Sequence, residues 1–518
     1  MLCNVSNQKV GYIKEHIMLQ TNDISMLATE IKSLINSDRA SALKRKMRDG
    51  VRYYDSRHDI LDTRLFFFDS NGQLKEEEYR ANTKISHGFF TELVDQKVQY
   101  LLSNPVEFAT DQLELQSYLE QYIDDDFQLM LQELVEGASQ KSYEYVFWSV
   151  DEKGKIRFKT ADALKTIPIY DENLAIDQMI YYYDDQITVK SEVKNVIRAQ
   201  FWTKEQVFYF VCVNEGEMKL DESVEVNPAF HQLAKDENGA YYGKGYGQVP
   251  FIKLANNKRE KTDLEPIKDL IDDYDLMACS LSNNLIDFDH PIYIVRGFEG
   301  DNLDTLVTNL KSKKTVSVDE DGGVDVQTVD IPVEARKTKL SIDKEGIYKF
   351  GMGFDSSQIG DGNITNIVIK SRYSLLDLKC NKAEVRLRAV IKQMLDLIVQ
   401  NINELNEKAF DSSDIEVTIT RSVMANETDN ATVAKTEADT KQVLINNVMT
   451  VAPRLDDRTV LELLAEILEV DPDEVEKALG EQAYKSDFNQ MTEVDDDGTK
   501  PIPTGNREPI DEVGQEDR

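Results

Sequence analysis

The chain has 518 residues, 60 Lys+Arg against 95 Asp+Glu, and a formal net charge of −35. That surplus excludes a protein that coats nucleic acid by neutralising phosphates, which needs a cationic surface. A hydrophobic fraction of 41% excludes global disorder, and the length suggests about three or four compact units.

The acidity is uneven: Asp411 to Arg518 holds 27 acidic and 10 basic residues. Cys3, Cys212, Cys279 and Cys380 lie far apart and read as reduced thiols. The opening MLCNVSNQKVGYIKEHI lacks the apolar core of a signal peptide. The longest apolar run, Val207–Val213, falls far short of the ~20 residues of a bilayer span. A soluble, cytoplasmic chain is expected, with no membrane partner.

In chain order, residues 1–52 read as a helical lead-in. Arg39, Lys44, Arg45, Lys46, Arg48 and Arg52 make a basic stretch, either a solvated face or a contact for an acidic partner subunit or DNA. Ile85, Phe89, Leu93, Val94, Val98 and Leu101 recur at helical spacing up to Asn104-Pro105, and residues 110–140 continue as helix. Aromatic and β-branched segments at 143–150, 155–159, 164–170, 178–183 and 206–213 predict an antiparallel meander, with Pro168 confining its segment to an edge. The Gly-rich stretch Tyr242–Pro250 lacks the Lys-Ser/Thr of a phosphate loop and reads as a loop feeding the strand Phe251–Leu254.

A helix is predicted from Thr262, with Thr262 and Glu265 as a capping box and Pro291 as its end. Its apolar seam runs Leu264, Ile267, Ile271, Tyr274, Ala278, Leu281, Leu285 and Phe288. Residues 297–331 form a small unit in which 315–318 and 324–328 flank a hairpin turn, and a second helix starts near Pro332. Gly351 to Asn363 holds four glycines and predicts a mobile loop. Ile369 to Leu405 then keeps a helical period, implying a strut on the order of 55 Å long. A strand at 415–420, short helices over 430–480 and a disordered acidic tail complete the reading. The fold class is α+β.

Chemistry is sparse. His16, His58, His87, His231 and His290 contain no HExxH or metal-spaced pair. His58-Asp59 could be a base and its orienter, but no nucleophile motif stands beside it, and a structural role is favoured. Carboxylates cluster at 124–126, 184–185, 272–273 and 495–497, the raw material of a two-metal nuclease only if several elements converge. No Walker A, GxSxG or kinase motif occurs, so no catalytic residue, cofactor or metal is assigned.

The strings Tyr53-Tyr54-Asp55…His58-Asp59-Ile60-Leu61, Asn82-Thr83-Lys84-Ile85…Phe89…Leu93-Val94-Asp95-Gln96-Lys97-Val98…Asn104-Pro105, Gly247-Gln248-Val249-Pro250-Phe251…Asn256-Asn257 and Asp263-Leu264-Glu265…Leu270-Ile271-Asp272 occur in that order. With the succession helix, inserted unit, helix, Gly-rich loop and very long helix, the sequence resembles the portal proteins of tailed bacteriophages, in the siphophage group of Gram-positive hosts. The resemblance spans roughly residues 40–480.

It implies a ring, typically of twelve subunits, at one capsid vertex of the virion, assembled in the host cytoplasm. Double-stranded DNA would pass through it without sequence specificity during packaging and ejection. It implies a wing (53–261 with 367–424), a stem (262–296 and 332–350), a clip (297–331), a tunnel loop (351–366) and a crown (425–482), ahead of the tail 483–518. The clip would dock the terminase large subunit and later the head–tail connector, through Lys311, Lys313, Lys314, Asp319, Glu320 and Asp321. Major capsid and scaffolding proteins are further implied partners. The tunnel loop would face DNA through Gly351, Gly353, Ser356, Ser357, Gln358, Ile359, Gly360, Asp361 and Gly362. The stem carries a net −6 over 262–296, so Asp269, Asp272, Asp273 and Asp275 are expected on an acidic channel wall. The implied role is not enzymatic. The alternatives are another ring-forming or scaffold-type head protein and a metal-dependent nuclease.

Overall fold

The computed structural model describes residues 23–77, 80–189, 192–235, 240–288, 292–296, 323–327, 330–355, 366–421 and 427–468, with scattered positions to 478. Contacts divide the chain into two compact units, 1–424 and 425–518.

The first unit opens with α1 (Ile24–Ala40) and α2 (Ala42–Tyr54). The Asp23 and Ser41 side chains cap them by accepting from backbone N–H groups that have no partner within the helix. A hairpin of β1 (Phe66–Phe68) and β2 (Leu74–Glu76) follows, then α3 (Phe89–Leu102), β3 (Glu107–Ala109), α4 (Leu113–Leu119) and α5 (Asp125–Lys141). Asp124 caps α5, and Ser142, in the left-handed conformation, turns it straight into β4 (Tyr143–Val150). β5 (Ile156–Ala161) returns beside β4, and β6 (Thr166–Tyr170), β7 (Ile176–Val189), β8 (Glu192–Trp202), β9 (Gln206–Val213) and β10 (Met218–Leu220) form an antiparallel meander in the order β10-β9-β8-β7-β6. The Pro168 strand is its edge, as expected of a residue with no N–H to donate. β11 (Ala229–Phe230) adds to β9, β12 (Gln232–Lys235) pairs with β13 (Tyr241–Lys244), and β14 (Phe251–Ala255) pairs with β4.

Next come α6 (Lys268–Asp287), β15 (Ile292–Arg296), β16 (Gly323–Gln327) and α7 (Val333–Gly351), with α6 and α7 packed together. α8 (Asn366–Asn406) has 41 residues, about 60 Å of helix at 1.5 Å per residue. β17 (Glu416–Thr418) returns to pair with β3.

The largest core joins α3, α5 and α8, where Leu376, Cys380, Leu387, Ile391, Met394, Ile398 and Ile402 form the buried stripe anticipated from the 3.6-residue period. A second core packs Leu27, Ala28, Ile31 and Ile35 of α1 on the meander. The second unit holds α9 (Glu427–Val451) and α10 (Asp457–Leu468), which pack on each other.

Several expectations change. β8 was not anticipated, because Lys194, Asn195, Arg198 and Gln200 dilute its apolar residues. Residues 242–244, read as loop, belong to β13. The helix expected from Thr262 begins at Lys268. The capping box does close, with Thr262 N donating to Glu265 at 3.3 Å and Glu265 N to Thr262 Oγ1 at 3.2 Å, but over a turn that carries Leu264 into the core and turns Asp263 toward Lys97. That helix ends at Asp287, ahead of the expected end at Pro291, and 292–296, assigned to the stem, is a strand. β16 pairs with β15; its anticipated partner at 315–318 lies outside the described residues. One 25-residue helix replaces the start of the short helices expected over 430–480. The tail beyond 478 lies outside the described residues.

Part of the basic stretch is engaged within the chain, while Arg45, Lys46 and Arg48 keep exposed positions. Lys44 is buried and donates to Thr166 O at 2.8 Å, beside Asp38 at 3.3 Å. Arg39 pairs with Asp184, Lys46 with Glu265, and Arg52 with Asp49 and Asp59. Cys212, Cys279 and Cys380 are buried free thiols, and burial pushes the Cys380 thiol up to about 11.

Candidate functional site

The helix pair α6–α7 and the start of the glycine-rich segment are held by four polar nodes. The first centres on Asp275, fully buried in the middle of α6. Its carboxylate faces His58 Nδ1 at 2.6 Å and His87 Nδ1 at 2.7 Å, and accepts from His87 N at 3.1 Å. His58 stacks on Tyr53 at 4.4 Å, and His87 meets Tyr274 edge-on at 4.8 Å. Burial alone would raise the Asp275 pKa; the two imidazoles overcome it and hold the group below the ordinary carboxylate range. His58 is therefore structural, and its partner is Asp275. The neighbouring Asp59 pairs with Arg52 and Lys268, which take it down to about 2 against the opposing effect of burial.

The second node follows from the first. The segment Ala81–His87 forms a strap that runs antiparallel along α6, and every second N–H finds a side chain one helical turn away. Ala81 N donates to Asp287 Oδ1 at 3.0 Å, Thr83 N to Asn283 Oδ1 at 2.6 Å, Ile85 N to Cys279 Sγ at 3.2 Å and His87 N to Asp275. Two residues of extended chain advance about 6.6 Å and four residues of helix about 6 Å, so the two repeats stay in step over four contacts.

The third node is a buried ion cluster. Lys97 Nζ donates to Ser139 Oγ at 2.8 Å, Asn256 Oδ1 at 2.6 Å and Asp263 Oδ2 at 3.0 Å. Lys379 of α8 reaches the same Asp263 oxygen at 3.2 Å and donates to Gly351 O at 3.0 Å. Burial would raise Asp263; Lys379 and Lys97 outweigh it and lower its pKa, while burial lowers that of Lys97. This cluster ties α3, the approach to α6, the end of α7 and α8 together.

The fourth node fixes the start of the glycine-rich segment. Gln96 Nε2 donates to Phe354 O at 2.7 Å, and Phe354 N donates to Gln96 Oε1 at 2.9 Å. Phe354 stacks on Tyr373 at 4.8 Å, and Tyr373 on Tyr100 at 5.7 Å. Gly351 and Gly353 are buried, and a Cβ on Gly353 would sit 2.0 Å from Leu93 Cδ2. These two glycines, expected to face DNA from a mobile loop, instead serve close packing against α3. Ser356, Ser357, Gln358, Ile359, Gly360, Asp361 and Gly362 lie outside the described residues, as do Lys311, Lys313, Lys314, Asp319, Glu320 and Asp321.

The four predicted wall acids separate. Asp275 is buried, which removes it from any wall. Asp272 accepts from Tyr53 OH and pairs with Lys268 at 2.7 Å. Asp273 shares Lys339 of α7 with the buried Asp343. Asp269 is exposed and, among the described residues, makes no ion pair. Asp124, Asp184 and Asp185 pair with Arg157, Arg39 and Arg198, and no group of three or more His, Cys, Asp or Glu among the described residues is arranged to hold a metal.

A model of the phage portal proteins of the SPP1 Gp6-like type matches residues 37–483, which take in all four nodes. The chain belongs to this portal protein family. Two curated portal proteins are similar to it: that of Bacillus phage SPP1, 30% identical over 407 residues covering 77% of this chain and 78% of the relative, and that of Clostridium phage phiCD119, 25% identical over 430 residues covering 78% and 88%. A solved chain from the neck of a native GTA particle, computed with C12 symmetry, covers 73% of this chain and 89% of its own at 12% identity and a TM-score of 0.35, too slight a likeness to carry weight. Portal proteins are oligomeric ring components of virions and a structural rather than catalytic family. The strings that signalled the portal resemblance converge here, since Lys97, Asn256 and Asp263 from three of them meet in one buried cluster. The strap and the Gln96 clasp have no signal in sequence periodicity, because each depends on backbone groups meeting side chains far along the chain.

Proposed function

We propose that the chain forms a ring at one capsid vertex, of twelve copies as is typical of the family, through which genome DNA is packaged and later ejected. The match over residues 37–483 carries this reading, because it embraces the helix pair, the excursion between its helices and the long helix. In this reading 53–261 with 367–424 is the wing, α6 and α7 are the stem, 297–331 is the clip, 351–366 the tunnel loop and 425–482 the crown. The clip docks the terminase large subunit and then the connector, and capsid and scaffolding proteins surround the ring. The protein is a non-enzymatic virion component, assembled in the host cytoplasm.

The wall is closer to neutral than a count of acids implies. α6 carries a net −4, α7 a net +2, and three of the four central carboxylates on α6 are engaged within the subunit. A channel lined by satisfied charges offers phosphate few free cations to displace its counterions, so DNA slides without adhesion. The test pairs two assays. Purified rings should show no strong, steeply salt-dependent affinity for duplex DNA. Deleting Ser356–Gly362 should leave rings intact and abolish packaging. Tight salt-sensitive binding, or normal packaging by the deletion variant, would contradict the reading.

A further inference from the structure

The hairpin β1–β2 stands apart from the sheets: among the described residues neither strand pairs with any third strand, and all six strand residues are exposed. Two strands alone are marginally stable in water. The register Phe66↔Glu76, Phe67↔Lys75, Phe68↔Leu74 places Phe66, Phe68 and Leu74 on one face, at 54%, 72% and 59% exposure, with Glu76, paired with Arg64, at its margin. The strap fixes where this face is carried. Arg80 approaches Asp287 at 3.7 Å and Ala81 is bonded to the same carboxylate, so the hairpin is tethered at the C-terminal end of α6.

That helix end bears its own uncovered apolar group: Leu285, Ile286 and Phe288 are 49%, 57% and 40% exposed. Both groups stay exposed in the single chain. One chain thus presents two open apolar surfaces at the same end of the same helix, one projecting and one seated. If the first of one copy covers the second of the next, every copy gives one contact and takes one, the head-to-tail arrangement that closes into rings. Copies carrying −35 each repel, so their adhesion must come from apolar contacts.

We propose that the β1–β2 hairpin docks on the neighbouring copy of this chain, with Phe66, Phe68 and Leu74 covering Leu285, Ile286 and Phe288. The proposal rests on the ring reading above and adds the contact that closes the ring. Two phenylalanines and a leucine bury on the order of 500 Å², below the area of a free-standing interface, so the contact holds in a closed ring and yields no stable dimer.

The experiment uses the full chain and native mass spectrometry. Wild type should form rings, whereas F66S/F68S and, separately, L285S/I286S should retain the wild-type circular dichroism spectrum and lose at least tenfold in ring fraction. As a check independent of ring yield, chains carrying F68C are mixed with chains carrying I286C and oxidised; a disulfide between the two kinds of chain is expected and none in wild type. Rings formed normally by both serine variants, with no mixed disulfide, would overturn the proposal and leave the hairpin to a capsid or scaffolding partner. F68C–F68C pairs would overturn it in favour of hairpin-to-hairpin contact. Absence of wild-type rings would overturn the ring reading itself, and this proposal with it.

Discussion

Asp275 and His58, 217 positions apart in sequence, meet at 2.6 Å in a site from which both are sealed off from solvent. With His87 on the other carboxylate oxygen, this contact pins α6 to the end of the strap and to the segment that follows α2. Asp275→Ala removes the partner of two imidazoles in a buried setting and is expected to cost about 3 kcal/mol, read as a lowered denaturant midpoint. An unchanged midpoint would show that the node does not brace the helix.

The same group predicts a pH response. The folded-state pKa of Asp275 lies below its unfolded value, so its contribution is complete above the unfolded value and is lost as pH falls through the folded one. Urea midpoints of wild type and Asp275→Asn should converge as pH drops below about 4. A constant gap between them across that range would contradict the assignment.

The Lys97–Asp263–Lys379 cluster should respond as a unit. Asp263→Ala strands the buried Lys97 ammonium and the part-buried Lys379 and is expected to cost about 3–5 kcal/mol. Lys97→Met leaves Asp263 paired with Lys379 and should cost less. Because the groups touch, the Lys97→Met/Asp263→Ala double variant should fall short of the sum of the single effects by at least about 1 kcal/mol. Additive effects in a double-mutant cycle would rule out coupling.

The strap makes a residue-by-residue prediction. Amide exchange followed by NMR or fragment-resolved mass spectrometry should find Ala81, Thr83, Ile85 and His87 slow, and Asn82, Lys84 and Ser86 fast. Asn283→Ala should release Thr83 selectively, at about 1 kcal/mol of local protection. Uniform exchange across the segment would show that the alternation is not maintained in solution.

Much of the framework was legible in the sequence, for identifiable reasons. The α8 stripe from Leu376 to Ile402 has an unbroken period and no Gly or Pro to blur it. Pro168 marked its own edge strand, because a missing N–H has one consequence in a sheet. The site was less legible. Asp275 looks like its neighbours Asp272 and Asp273 in sequence; only His58 and His87, brought in from a distant segment, distinguish it. Gly351 and Gly353 signalled freedom, whereas their function is close approach to Leu93, and composition does not separate the two uses of glycine. The strap carries no pattern of its own, since its contacts use backbone N–H groups that every residue except proline possesses.

Asp269 offers a direct probe of the wall. It is the exposed member of the four acids and, among the described residues, has no ion-pair partner. Asp269→Lys would add a free cation per subunit around the bore and should create DNA retention that weakens steeply with salt, each added phosphate contact contributing about −0.9 to the slope of log K against log salt. Retention identical to wild type would place Asp269 away from the DNA path.

In the proposed ring, α6 and α7 line the channel. Cryo-electron microscopy of the purified full-length chain tests it most directly. The account predicts a closed ring with α6 and α7 around the central opening and α8 farther out, packed on α3 and α5. A particle of one 59.2 kDa chain, or a ring that carries α6 and α7 on its outer perimeter, would contradict it.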